Sequence, residues 1–281
     1  MKFTKMEGLG NDYLYVYADR DPCDPAALSR RLSDRHFGAG SDGMIWILPS
    51  DQADFRMRIF NADGSEALMC GNGIRCVGKY VFDKGLTDKT DLTIETLSGI
   101  RHLSLCVTEG RVTSARVDMG KTAVSAPLVL EAAGRSVTVY PVSVGNPHAV
   151  LFCDPDTPIQ QDTLTAVGRA LEHHPAFPDG VNVEFVQVLS PARLRMRVWE
   201  RGSGITMACG TGACAAAAAA EACGYCPPDG DVTVALDGGE LTIRISPDHT
   251  AFMTGPAKIV YEGETADEYT QTAPGVTGGT V

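Results

Sequence analysis

Long apolar runs, an excess of basic residues and a paired set of metal-binding cysteines are all missing from this sequence, and each absence removes a class of function. No run approaches the ~18 consecutive apolar residues of a membrane-spanning helix. The opening Met1-Lys2-Phe3-Thr4-Lys5-Met6-Glu7 has no apolar signal core, so a soluble, cytoplasmic protein is expected, with no membrane as partner. Lys and Arg number 24 against 35 Asp and Glu, a formal charge of -11, which makes nucleic acids and anionic membranes poor partners. The nine cysteines are an odd number without a leader, and they read as reduced thiols. Cys223-Gly224-Tyr225-Cys226 has CxxC spacing, but no second CxxC or spaced histidine pair accompanies it, so no metal site is expected. The chain's 281 residues, 44% of them hydrophobic, suffice for two domains with separate cores.

What is present is a duplication. Met69-Cys70-Gly71-Asn72-Gly73 and Ala208-Cys209-Gly210-Thr211-Gly212 are near-copies of one Cys-Gly-x-Gly turn. Helix-forming sequence follows each, Ile74 to Lys84 and Ala213 to Ala222, which places each cysteine where a helix begins and unpaired backbone N–H groups point outward. A free thiol titrates near ~8.5, and a helix N-terminus is expected to pull it toward neutrality. Two such thiols facing one cavity make an acid–base pair of opposite hand. The match extends upstream: Gly10-Asn11 and Gly145-Asn146 precede their cysteines by 59 and 63 residues from the asparagine, and Asn61 and Glu200 each stand nine residues before theirs. Two pseudo-twofold-related lobes with the site in the cleft between them bring both sets together.

Between these motifs, alternating segments predict strands. Asp54 to Phe60 and Arg193 to Trp199 are the clearest, and each leads into its polar residue and cysteine turn. Further strands are expected at 2–7, 13–18, 44–48, 92–97, 100–107, 111–118, 135–143, 147–152, 183–189, 232–236, 240–246 and 258–262. Pro25 to Arg35 and Thr163 to His173 read as surface helices. The six alanines from Ala215 to Ala220 predict a helix sheathed on several sides by a curved sheet. The segment after Glu264 has little to bury and reads as a flexible tail, 265–281.

At these residues the chain resembles the diaminopimelate epimerase family. The first family signature is similar to Asn61-Ala62-Asp63-Gly64-Ser65-Glu66-Ala67 with Cys70-Gly71-Asn72-Gly73-Ile74-Arg75-Cys76, the second to Glu200-Arg201-Gly202-Ser203-Gly204 with Ala208-Cys209-Gly210-Thr211-Gly212-Ala213-Cys214. Gly8-Leu9-Gly10-Asn11-Asp12 and Gly145-Asn146-Pro147-His148 match further elements in order, and the likeness covers residues 1 to 262. It implies an α+β fold of two pseudo-symmetric lobes, each a curved, mostly antiparallel, barrel-like sheet around a central helix. Residues 1–115 with 256–264 would form the N-terminal lobe and 116–255 the C-terminal lobe.

The activity implied is interconversion of LL- and meso-2,6-diaminopimelate, on the route to lysine and peptidoglycan precursors, without pyridoxal phosphate or any other cofactor. One cysteine as thiolate removes the α-proton while the other as thiol returns one to the opposite face. Cys70 and Cys209 are the catalytic pair, and family assignment makes Cys70 the donor and Cys209 the acceptor for the LL substrate. Backbone N–H groups of Gly71, Asn72, Gly210 and Thr211 would hold the reacting carboxylate. By similarity Asn11, Asn61, Asn146, Asn182 and Arg201 bind the distal L-centre, Arg201 by a bidentate pair with its carboxylate. Glu200 and His148 would tune the cysteines or the substrate ammonium. The partner is a small-molecule substrate, and a homodimer is compatible with the likeness.

Two positions depart from the family pattern or vary within it. Ile205 stands where glutamate is usual, which predicts a lost polar contact, and Gly43 would reach substrate through backbone at most. Cys76 and Cys214, inside the helices, read as packing residues, and His36, His102, His173, His174 and His249 carry no pattern. A cofactor-independent racemase of proline or histidine would keep the cysteine pair, but Arg201 and four asparagines would then have no distal carboxylate to read. Proline racemases also usually carry histidine where this chain has Asn72. A binding or redox-sensing protein on the same scaffold would bind without exchanging the α-proton, and a cysteine-ligated metalloprotein is the weakest alternative.

Overall fold

A single strand–helix order runs through the chain twice. The computed structural model describes residues 1–266. The first pass comprises β1 Lys2–Gly8, β2 Asn11–Tyr17, α1 Pro25–Ser33, β3 Gly43–Leu48, β4 Phe55–Asn61, β5 Glu66–Ala67, α2 Gly71–Asp83, β6 Asp91–Thr96, β7 Gly99–Thr108 and β8 Arg111–Lys121. After β9 Ala123–Val124 and β10 Leu128–Ala132, the order repeats as β11 Arg135–Ser143, β12 Pro147–Cys153, α3 Gln161–Glu172, β13 Asn182–Ser190, β14 Arg193–Glu200, β15 Gly204–Ile205, α4 Gly210–Ala222, β16 Asp231–Leu236, β17 Gly239–Ile245 and β18 Thr250–Pro256. β19 Lys258–Glu264 closes the described chain.

Pairing repeats with the order. β1 and β2 are antiparallel, β2 and β3 parallel, β3 and β4 antiparallel, and β4 pairs parallel with β6. In the second pass β11 with β12, β12 with β13, β13 with β14 and β14 with β16 follow the same senses. The sheet is α+β and mostly antiparallel, and it curves around α2 in one half and α4 in the other. The halves are joined by strands: β8 pairs with β18, and β19 returns to pair antiparallel with β1. Positions 115 and 116 lie within β8, and 256 is the last residue of β18.

Helix α4 shows why the alanine run is there. Gly212 to Ala220 are all buried, so no polar face is left, and the helix touches β17, β13, β11, β12 and β18. An all-apolar helix is one that is enclosed, and methyl side chains let strands approach it from every side. Ala217 is 1% exposed. We expect Ala217→Leu to overfill this space and destabilise the fold by roughly 1–3 kcal/mol in urea denaturation. Helices α1 and α3 lie outside the sheet, over separate apolar clusters that include Leu14, Leu32 and Trp46 in one case and Leu164, Leu171 and Phe185 in the other. Strand β3, covered on both faces, is buried at all six positions, as parallel-paired strands usually are.

Five strands were not foreseen, the two-residue β5, β9 and β15 and the longer β10 and β18. β10, with Leu128 and Val129 exposed, gives only a weak alternation, and β18 ends in Gly255-Pro256, which reads as a turn but here closes a strand of strictly alternating burial. Both central helices begin three residues before their expected starts, because Gly71 and Gly210 are already helical. The expected tail lies outside the described residues except for Thr265 and Ala266, and the Thr265 N–H donates to the Met1 carbonyl at 2.9 Å.

Candidate active site

The two cysteine-capped helices meet at their first turns. Cys70 and Cys209 are the N-cap residues of α2 and α4, both in extended backbone conformation, with φ of -137° and -117°. The residues after them pack across the junction of the two halves. A β-carbon on Gly210 would lie 2.9 Å from Met253 Sδ and 3.8 Å from Gly71 Cα, and one on Gly71 would lie 3.0 Å from Met253 Cε. The tight neighbour at both positions is the Met253 side chain, and the absence of a β-carbon leaves room for it between the helix starts. The Asn72 amide donates to the Ala208 carbonyl at 3.2 Å and ties one start to the other.

Each sulfur sits on its own helix terminus. The Gly73 N–H donates to Cys70 Sγ at 3.3 Å and the Gly212 N–H to Cys209 Sγ at 3.4 Å. Cys70 Sγ also lies 3.3 Å from Asn11 Oδ1, and Cys209 Sγ lies 3.5 Å from Thr211 Oγ1. The expectation of thiols drawn toward neutrality is corrected here. Burial is the largest influence on both and pushes both upward, with the backbone N–H groups of Gly73, Asn72 and Gly212 opposing it. Taking a thiolate out of water costs more than these helix termini return. Cys209 is raised further, since the Glu200 and Glu184 carboxylates add to the cost of its negative charge.

The halves furnish their sulfurs differently at equivalent positions. Two residues after Asn11 and Asn146 stand Tyr13 and His148, both buried. Ile45 lies 25 residues before Cys70 (70 − 45), and Glu184 lies 25 before Cys209 (209 − 184). The ring of His148 bridges Glu184 Oε1 at 2.7 Å and Asn146 Oδ1 at 3.0 Å, while the Asn146 amide reaches Thr211 Oγ1 at 3.4 Å. A connected series of polar groups thus runs from Glu184 to the Cys209 side of the cleft. In the other half, apolar Ile45 leaves no such series, and Asn11 is held instead by Asp42, Nδ2 to Oδ2 at 2.8 Å.

The remaining sequence-predicted residues surround this junction, engaged with the protein itself. The Asn61 amide donates to Ser65 Oγ at 3.0 Å. Asn182 accepts from the Arg201 backbone N–H at 2.9 Å and donates to the Pro147 carbonyl at 3.4 Å. The Arg201 side chain is exposed, with one nitrogen on the Asp179 carbonyl at 2.6 Å. Glu200 takes the Thr206 hydroxyl, and burial raises its carboxyl. Ile205 packs against the cluster that holds Phe185 and Leu164, so the position has an apolar role, and polar contact with Glu200 comes from the neighbouring Thr206. A β-carbon on Gly43 would lie 2.2 Å from the Phe60 carbonyl, which excludes any side chain there. Sequence reasoning missed Glu184, Tyr13, Asp42, Arg75 and Met253. Among the described residues no three His, Cys, Asp or Glu side chains converge as a metal would require.

Fold and site together define a protein of two like halves, each presenting a cysteine-capped helix start at their junction. The fold is shared with a hydroxyproline epimerase from Agrobacterium vitis, at TM-score 0.69 and 18% identity over 94% of this chain and 90% of that one. A phenazine biosynthesis protein of the PhzF family from Bacillus anthracis gives TM-score 0.74 and 17% identity over 95% and 99%. The family model described as diaminopimelate epimerase matches residues 3–124 and again 140–260, one match for each pass. Diaminopimelate epimerases from Parabacteroides distasonis and Acetivibrio thermocellus are 52% and 46% identical, each over 94% of this chain and 97% and 98% of theirs. The chain belongs to the diaminopimelate epimerase family.

Proposed function

We propose that this chain interconverts LL- and meso-2,6-diaminopimelate by moving a proton at one α-carbon between Cys70 and Cys209. The observation that carries the reading is the meeting of the two cysteine-capped helix starts at Gly71 and Gly210. A carbon held there has a sulfur available on either side. As the thiolate takes the α-proton, the C–H electron pair moves into the adjacent carboxylate, and the opposite thiol returns its own proton to the carbon, leaving the pair reversed. The N–H groups of Gly71, Asn72, Gly210 and Thr211 belong to first helical turns, which leave backbone donors without intrahelical acceptors, and they are suited to the growing charge on that carboxylate.

The substrate's second amino-acid centre falls to Asn11, Asn61, Asn146, Asn182 and Arg201. The lobes, 1–115 with 256–264 and 116–255, close on it and expel water. Nine free thiols suit a reducing cytoplasm. Because Arg201 acts far from the reacting carbon, we expect Arg201→Met to raise KM by about 10- to 100-fold with a smaller change in kcat, the loss of a charge-assisted bond made equally in ground and transition states. An equal fall in kcat instead would place Arg201 at the reacting centre.

Substrate class is tested by giving reduced protein LL-diaminopimelate, proline, hydroxyproline and histidine in separate incubations, followed by chiral separation. Turnover of diaminopimelate alone is the expected result. Turnover of proline without diaminopimelate, or none at all, would overturn the reading.

A further inference from the structure

We infer that the two halves bias where the cysteine pair keeps its shared proton, so that once one proton has left the pair Cys70 is the thiolate and Cys209 the thiol, with Arg75 and Glu184 as the positioning residues that set the bias. The inference rests on the two-thiol reading above, and it follows from charge placed at equivalent positions. Five residues after Cys70 stands Arg75; five after Cys209 stands Cys214. One helix therefore carries a cation behind its first turn where the other carries an uncharged thiol.

Arg75 is 0% exposed. Its Nη1 donates to the Gly71 carbonyl at 3.1 Å and lies 3.7 Å from Met253 Sδ, and its Nε donates to the Pro256 carbonyl at 3.2 Å. Its Nη2 has no partner, and among the described residues no acidic side chain forms an ion pair with it. A buried guanidinium hydrogen-bonded only to neutral atoms, with the Glu7 carboxylate acting on it less than Cys76, Cys70 and Tyr15 do, sends its field through a weakly screening interior to the residues around it. Cys76 and Cys70 are the negative-capable groups that feel it most, and of the two Cys70 caps the helix start, one residue from the carbonyl that Arg75 binds.

The opposite sign is gathered behind Cys209. Glu184 replaces Ile45 and Glu200 replaces Asn61, and the His148 ring lies 2.7 Å from Glu184 Oε1. A β-carbon on Gly212, whose N–H serves Cys209, would lie 2.8 Å from Glu184 Oε1, so this carboxylate reaches the first turn of α4. The ionisable groups acting on Cys70 are Tyr13, Tyr15, Cys76, Arg75 and Glu200, with Glu7 behind Arg75 and Cys76; those acting on Cys209 are Glu184 and Glu200, with His148 behind them. A pair that shares one proton keeps it where negative charge is costlier.

The test reads the thiols directly and needs no turnover. Intact reduced protein is pulsed with iodoacetamide across a pH series, and peptide mass spectrometry gives a separate pH midpoint for Cys70 and Cys209. Midpoints rather than rates are compared, because Cys70 is also the more accessible sulfur. We expect the Cys70 midpoint to lie below that of Cys209 by roughly one to three pH units, the scale a nearby charge imposes. Arg75→Met should raise the Cys70 midpoint, Arg75→Lys should restore it, and Glu184→Gln should lower the Cys209 midpoint. A Cys209 midpoint at or below that of Cys70 would overturn the inference, as would unchanged midpoints in a folded Arg75→Met protein. If Arg75→Met fails to fold, Glu184→Gln decides alone: a lowered Cys209 midpoint supports the bias and an unmoved one rejects it. Absence of epimerisation with the midpoints ordered as stated would count against the proposed function and leave the bias standing.

Discussion

Cys70→Ala and Cys209→Ala each lower epimerisation by on the order of 10³-fold or more, and the double variant loses little beyond either single one. Neither sulfur has a substitute. Each is the N-cap of its helix; the hydroxyl beside Cys209 is Thr211 Oγ1 at 3.5 Å and the one beside Cys70 is the Tyr13 phenol, which burial makes much less acidic than usual, and both are far too weak as acids to return a proton at neutral pH. The losses are not additive because one proton must leave one face and another arrive at the opposite face in a single reaction. Folding should be nearly unaffected, since losing a cap costs about 1 kcal/mol. Chiral assay beside urea denaturation separates the two effects. A single variant with near-normal turnover, or losses that simply multiply in the double variant, would show that the sulfurs do not act as a unit.

The second large effect comes from a methyl group. Gly210→Ala places a carbon 2.9 Å from Met253 Sδ, at the point where the two helix starts touch. Met253 is fully buried, so the strain falls on the helix junction itself. A displacement of about 1 Å at such a site costs around 10²-fold in rate. We expect that loss in kcat with stability little changed, and partial recovery when Met253→Ala is added to make room. Full activity in Gly210→Ala would show that the approach of Gly210 to Gly71 is incidental to catalysis.

The duplication was legible because its parts are local. A cysteine, two glycines and a following helix can be read within a dozen residues, and Asn61 and Glu200 keep one spacing because each ends its strand, β4 or β14, with one two-residue strand, β5 or β15, before the cysteine turn. What sheet register creates was not legible. His148 reaches Glu184 because β12 and β13 pair in parallel with His148 opposite Asn182 and Val150 opposite Glu184. In the sequence, Glu184 is one polar residue inside Val181-Asn182-Val183-Glu184-Phe185-Val186, a run that turns out to be buried throughout. Arg75 likewise reads as an ordinary helical arginine until strand β18, itself unforeseen, places Pro256 and Met253 over it.

The thiols gave the clearest reversal. A helix terminus is visible in sequence and lowers a thiol's affinity for protons, whereas desolvation depends on what closes over the sulfur and is invisible until the halves are assembled. With both thiols raised by burial, the pair loses its first proton at higher pH than free cysteine would suggest. Activity needs one thiolate, so the rising limb of the pH–kcat/KM profile should lie on the alkaline side of neutrality. A rising limb well below pH 7, at roughly the acidity of the most strongly activated thiols, would contradict this balance of burial and dipole.

The most direct measurement is the reaction of LL-diaminopimelate in deuterated water, stopped early and resolved into substrate and product. Two sulfurs on opposite faces predict deuterium at the inverted α-carbon of the meso product while recovered LL substrate keeps its proton, and no label in either isomer with the Cys70→Ala or Cys209→Ala protein. Equal labelling of recovered substrate and product from the first turnovers would mean that one group serves both faces, and would contradict the two-thiol mechanism.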